Sequence, residues 1–349
     1  MEQIWWERVP NAMAFAAEIS RHLIEGKSIL LQYDQSIPWY DSLTDLMKGR
    51  VKQEVSTKSF EEVRGIEAPG PYLLQNFCKA EKRALYRPTK TFARFFAERD
   101  DIVLHSRYFW VTLDSREALG QWEEFVSEYA VNRGRGKETA VFILEWQGER
   151  MKSAKKGIRV FAFHEYISAY DCKIFSMLAS SGIKEEALIK NYVAELASHM
   201  AGRDAELCGA CIKRYKELMG NPYGVLQDIV QGESRSDGSP FVFLEGQREA
   251  EHGIWLAQIK TIYPVLEEFR GKFVEQYQEE IKGVLPMPSS WGMYEEPGDV
   301  ELGALVYLAE HGPLQIPSGE YHQLKKFRDA RNKLSHLNTL SEEEIRGLL

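Results

Sequence analysis

Arg328, Asn332 and His336 stand four residues apart near the end of the chain, within the string Phe327-Arg328-Asp329-Ala330-Arg331-Asn332-Lys333-Leu334-Ser335-His336. On a helix that spacing makes them neighbours along one polar row. Leu324, Phe327, Ala330, Leu334 and Leu337 recur at steps of three and four, which predicts an apolar stripe on the same helix. Arg331 falls between the stripe and the row. Two guanidiniums, an amide and an imidazole at one edge form a set that can bind phosphate and move a proton. An imidazole titrates near neutral pH and suits general acid or base work. A guanidinium suits charge developing on a phosphate.

Arg331, Asn332 and His336 also follow an arginine, polar residue, histidine pattern that resembles the signature of the HEPN superfamily, small all-helical domains found in prokaryotic toxins and phage-defence proteins. The resemblance implies a helical bundle that dimerises and cuts RNA without metal. It casts His336 as acid or base and Arg331 as stabiliser of phosphate charge. Asn332 would orient the groups, Arg328 would hold a neighbouring phosphate, and the RNA 2′-hydroxyl would be the nucleophile. Many such domains lack catalysis and serve as interaction or RNA-binding modules. A plain structural reading stays open beside it. Arg331 can pair with Glu267 or Glu268 of another helix, Asn332 can cap or bridge, and His336 can be a polar helix tip.

The elements that must position this set come from a chain of 349 residues, 44% hydrophobic and 28% charged, long enough for two or three domains with real cores. A net charge of −8 argues against one large basic surface, although 44 Lys and Arg leave room for a local basic cleft. No apolar run reaches membrane-spanning length, and the first residues, Met1-Glu2-Gln3-Ile4-Trp5-Trp6, do not read as a signal peptide. A cytoplasmic protein without membrane contact is expected. Of four cysteines, Cys208 and Cys211 form C-x-x-C inside a helical run with no second ligand pair. They read as small buried residues of a helix contact. No cofactor and no metal site are expected.

The first half alternates helix and strand. Residues 11–25 read as a helix ended by Gly26, and Ser28 to Asp34 as a buried strand. Gly26-Lys27-Ser28 imitates the end of a phosphate loop but precedes the strand, whereas such a loop follows one. The segment that does follow, Asp34-Gln35-Ser36-Ile37-Pro38-Trp39, has neither glycine nor lysine. A helix is expected from near Ser42, a strand over Val51 to Thr57, and helices over Tyr72 to Cys78 and Thr91 to Glu98. A β-rich stretch spans Asp101 to Leu113, and a helix is capped by Ser115. Further strands are expected at Ala140 to Glu145, Ile158 to Phe163 and Lys173 to Leu178. Arg133 and Arg135 sit in a glycine-spaced basic loop that can touch phosphate but reads better as a solvated connector. This pattern predicts an α/β layered domain with a mostly parallel sheet. Its order, with a hydrophobic strand ending in Glu145, resembles a P-loop NTPase core that has lost its nucleotide loop. The plainer reading has Glu145 end a core strand in solvent.

From Lys184 the periodicity turns helical. Helices are expected over Glu185 to Met200 and Asp204 to Met219, stopped by Asn221-Pro222. Gly232 to Pro240 has linker composition. A long apolar repeat from Ile254 to Ile281 is divided by Pro264. An irregular loop follows, then a helix N-capped by Asp299, the motif helix from Ser318, and a short helix opened by a Ser341/Glu344 capping box.

The expected organisation is an α/β domain over 1–182, a helical subdomain over 183–231, a linker over 232–247 and a HEPN-like bundle over 248–349. The functional expectation is a HEPN-like effector that binds or cuts RNA in a bacterial phage-defence or stress system. Its expected partners are RNA and a second copy or another protein, met through the C-terminal bundle. The alternative is a non-catalytic scaffold or sensor with a degenerate NTPase-like domain and a helical interaction module.

Overall fold

The computed structural model describes residues 1–134, 136–149, 155–243, 246–289 and 292–349. It divides into two compact units, Met1–Asp171 with Ser236–Gly238, and Cys172–Arg235 with Ser239–Leu349.

The first unit is a five-stranded parallel sheet in the order β2-β3-β4-β1-β5, with β1 Ser28–Tyr33, β2 Ser59–Arg64, β3 Arg107–Leu113, β4 Val141–Gln147 and β5 Ile158–Ala162. Helices α1 (Glu2–Arg8), α2 (Pro10–Ile24) and α3 (Tyr40–Glu54) lie on one face. There Phe15 meets Phe161, and the Tyr108 hydroxyl donates to the Leu23 carbonyl. Helices α4 (Pro69–Phe77), α5 (Ala80–Arg83), α6 (Phe92–Ala97) and α7 (Arg116–Arg133) follow in the chain. On the second face, Leu30, Phe109, Val111, Phe142 and Leu144 pack with Phe96, Trp122 and Tyr129 in one buried cluster. The chain crosses from β1 to β2 on the first face and returns through β3 to β4 on the second, as right-handed crossovers require when direction reverses. The short α8 (Phe163–Tyr166) ends this part, and α9 (Ala169–Ser180) begins in it and belongs mostly to the second unit.

Two expected strands are helix instead. Val51 does not start a strand. It is the third of Leu43, Met47 and Val51, all buried and four apart on α3. The strand lies later, at Ser59–Arg64, where Val63 is the one buried residue of a sheet-edge segment. Lys173 to Leu178 belongs to α9, with Cys172, Phe175, Ser176 and Ala179 buried at helical spacing.

The second unit is mainly helical, with α10 (Ala187–Ala201), α11 (Ala205–Lys213), α12 (Tyr215–Gly220), α13 (Pro222–Gly232), α14 (Gln247–Thr261), α15 (Tyr263–Gln276), α16 (Gln278–Lys282), α17 (Leu302–Glu310), α18 (Ser318–Ser335) and α19 (Glu342–Arg346). Asn221-Pro222 ends one helix and also opens α13, because the Asn221 side chain accepts the Gly224 N–H at 3.0 Å. Pro264 divides the long apolar repeat into α14 and α15, as expected. Gly253 lets α14 approach α10, since a Cβ there would lie 3.0 Å from the Met200 methyl. Gln258 is fully buried and satisfied. It donates to the Tyr192 hydroxyl and the Leu340 carbonyl and accepts the Leu340 N–H at 2.7 Å.

The loop read as irregular holds a small antiparallel hairpin, β6 (Met287–Ser289) and β7 (Gly292–Tyr294). Asp299 does not cap α17. It accepts the Glu296 N–H in a short turn before the helix, and Glu301 is the N-cap. At the segment of linker composition, Ser234 bridges Pro240, and the Arg235 side chain pairs with Asp204 and lies over Phe241. Among the described residues no helix is long and apolar enough to cross a membrane.

Candidate functional site

The motif residues lie on α18 and at its C-cap. Leu324, Phe327, Ala330 and Leu334 are buried as the apolar stripe requires, and the Phe327 ring stacks on Phe269 at 3.8 Å. Leu337 is not part of the stripe. The helix ends at Ser335, Leu337 takes a left-handed φ of 60°, and it is 71% exposed. Trp255 Nε1 donates to the Leu334 carbonyl, satisfying one of the last carbonyls of the helix.

Arg331 pairs with Glu301, the N-cap residue of α17, at 2.9 Å, and keeps a quarter of its side chain exposed. It does not pair with Glu267 or Glu268, which are taken by Arg270 and Lys272. Arg328 is half-buried beside Asp329 at 2.7 Å. Asn332 and His336 are exposed, and the His336 backbone N–H bonds the Asn332 carbonyl at 3.1 Å. One helix edge thus brings Arg328 and Asn332 into register, with His336 at its terminus. Arg328 and Arg331 are each held by one carboxylate, and ion pairs this exposed contribute about 0–1 kcal/mol.

A second polar constellation lies in the first unit. Glu145 pairs in register with Leu31 of β1 and Thr112 of β3, near the carboxyl ends of the strands. It is not solvated, being 6% exposed. Tyr33 donates to Oε1, while Trp110 Nε1 at 2.8 Å and the Thr112 hydroxyl at 3.4 Å donate to Oε2. Alternation places Tyr33, Trp110, Thr112 and Glu145 on the same face, under α3. Tyr40, Thr44 and Lys48, four apart on α3, line a cavity of about 70 Å³ over the carboxylate. Burial, and then the charge of Glu145, push the Tyr33 and Tyr40 hydroxyls well above the ordinary phenol range. Both stay protonated and can donate. Lys48 is engaged with Glu62 at 3.1 Å and sits 5.5 Å from the Trp110 ring. The partners of Glu145 were not legible as a set, because two other strands, β1 and β3, distant in sequence, supply them.

The connection from β1 to α3 occupies the place of a nucleotide loop in such a sheet. Ile37 and Pro38 are buried in it. Trp39 takes a left-handed φ of 46° at the N-cap of α3, and its carbonyl accepts Trp6 Nε1 at 3.2 Å. Its ring lies 6.4 Å from that of Trp5. An aromatic wedge fills this turn, and Asp41 brings negative charge to the first turn of α3.

The remaining sequence candidates resolve into structural roles. Arg133 is not a solvated connector residue. It is 4% exposed and donates to the carbonyls of Glu138, Ala97 and Arg99 and to Asp100. Arg135 lies outside the described residues. Cys208 and Cys211 are buried on α11, and burial pushes the Cys211 thiol up to about 12, which keeps it protonated.

No family model matches the chain, and no curated protein matches it. Similar solved structures include the Aeropyrum pernix ORC1 protein in complex with DNA. It is 9% identical over 96% of this chain and 87% of that chain, with a TM-score of 0.32. Drosophila ORC bound to DNA is 13% identical over 96% and 92%, with a TM-score of 0.33.

Proposed function

We propose that the chain is a non-catalytic scaffold or sensor, with a degenerate NTPase-like α/β core and a helical interaction module. The observation that carries this reading is the ground beyond β1. A phosphate there needs converging backbone N–H groups and a cation. The residues present are an aromatic wedge, a first-turn aspartate, a buried carboxylate whose hydrogen bonds come from neutral donors, and Lys48, which is already paired with Glu62. Thermal unfolding with and without Mg²⁺-ATP tests the reading. A ligand at one hundred times its Kd would stabilise by about 2.7 kcal/mol. The expected shift is nil. A rise in Tm that Glu145→Gln abolishes would overturn the proposal.

A second reading is favoured by the exposure of Asn332 and His336 beside half-buried Arg328 and Arg331. In it α18 meets RNA as a HEPN-like effector of bacterial defence or stress would. Arg331 and Arg328 would hold phosphate, Asn332 would orient the groups, and His336 would transfer protons at the 2′-hydroxyl or leaving oxygen. Two bundles would face each other as a dimer. Incubation with cellular RNA in EDTA is expected to give cutting that His336→Ala abolishes. Intact RNA with both proteins would end the catalytic reading.

A further inference from the structure

The polar row on α18 does not begin at Arg328. One and two turns earlier come Lys325 and Tyr321, so Tyr321, Lys325, Arg328, Asn332 and His336 follow one edge of the helix and its C-cap. At 1.5 Å per residue this edge is about 22 Å long. Beside its first half stands the end of α17, which packs against α18. Tyr307 is 54% exposed, and its ring stacks on the exposed His311 at 4.1 Å and 28°. Tyr321 donates to Glu310 at 2.6 Å, which fixes the orientation of its ring, and the Lys325 ammonium sits 5.5 Å from that ring. In a chain of net charge −8, α18 carries five Lys or Arg against two acids.

Tyr307 is exposed and Tyr321 half-buried, and oriented aromatic rings interleaved with cations suit one class of partner well. Every base has a π face to stack, and the cations follow the backbone, which is how sequence-tolerant single-strand binding works. We infer that the α17–α18 edge is a stacking platform for single-stranded nucleic acid. Tyr307 and Tyr321 carry bases, and Lys325 and Arg328 carry phosphates. The inference rests on the second reading above for the fate of the strand, and supplies the holding surface that leads toward Arg331, Asn332 and His336. A duplex keeps its bases stacked on one another and cannot use the rings.

The test is fluorescence anisotropy of the full chain with a labelled uridine 20-mer, at two salt concentrations, beside a duplex of the same length. The expected result is binding that weakens as salt rises and is at least tenfold tighter for the single strand. Tyr307→Ala and Tyr321→Ala should each weaken it about tenfold, while Tyr307→Phe keeps it. Tyr307 is exposed, so its truncation leaves the fold intact, which circular dichroism checks. No binding at low salt, equal affinity for the duplex, or unchanged affinity in both alanine variants would overturn the inference. The two readings fail separately. RNA held but never cut, with loss of affinity on Tyr307→Ala, ends the catalytic reading and keeps the platform. RNA cut and bound equally well by the Tyr307→Ala and Tyr321→Ala proteins ends the platform and keeps the catalysis.

Discussion

Glu145 and His336 are both titratable side chains near the end of a regular element, and their surroundings are opposite. Glu145 lies under α3 with three neutral donors on its two oxygens. His336 sits in solvent at a helix terminus, at the end of a polar row whose contacts lie at the surface. A carboxylate satisfied within its own unit has little left to offer a ligand, and removing its neighbours strands polar groups inside the protein. A solvent-facing row costs little to build and keeps its donors for a partner. The contrast separates what holds this chain together from what it can present.

The sharpest way to break the contrast is Glu145→Ala. It leaves the Tyr33 hydroxyl and the Trp110 indole without their buried acceptor, and the expected loss is about 3 kcal/mol in urea denaturation. Wild-type stability would mean that Glu145 is not a strut. Arg133→Met should come next, at about 2 kcal/mol, because it strips a buried cap from the Ala97, Arg99 and Glu138 carbonyls.

A smaller, pH-dependent effect belongs to His105. The ring donates from Nε2 to the Arg99 carbonyl in either protonation state, and only the neutral form can accept the Tyr129 hydroxyl at Nδ1. Burial holds its pKa below the ordinary histidine value. The unfolded chain therefore takes up the proton first as pH falls. The stability from His105 is fully present above about pH 6.5 and is lost as pH drops below it. His105→Gln should flatten that part of the urea midpoint against pH between 7.5 and 5, to be compared at roughly those values. The smallest effect is expected from His336→Ala, within about 0.5 kcal/mol of wild type. A larger loss would place His336 among the structural groups and remove the contrast.

Much of this fold follows local rules that a sequence displays. The β1, β4 and β5 strands are short stretches rich in apolar residues, and the α18 stripe and the Ser341/Glu344 capping box are periodic or positional signals. β2 gave no such signal, because a sheet-edge strand with one buried side chain has no apolar run to show. Val51 misled because a β-branched residue suggests strand, while its spacing from Leu43 and Met47 is helical. At the candidate sites, the order of Arg328, Asn332 and His336 was legible because they share one helix. The partner of Arg331 was not, since Glu301 lies thirty positions away at the N-cap of a different helix. The cage around Glu145 was equally hidden, being a product of strand register.

Photo-crosslinking with 4-thiouridine RNA, mapped by mass spectrometry on the full chain, tests the division most directly. The account predicts crosslinks on peptides containing Tyr307 and Tyr321, and none on residues 33–48 or 110–112. Crosslinks gathered around Tyr33, Tyr40 and Trp110, with α17 and α18 unlabelled, would contradict it.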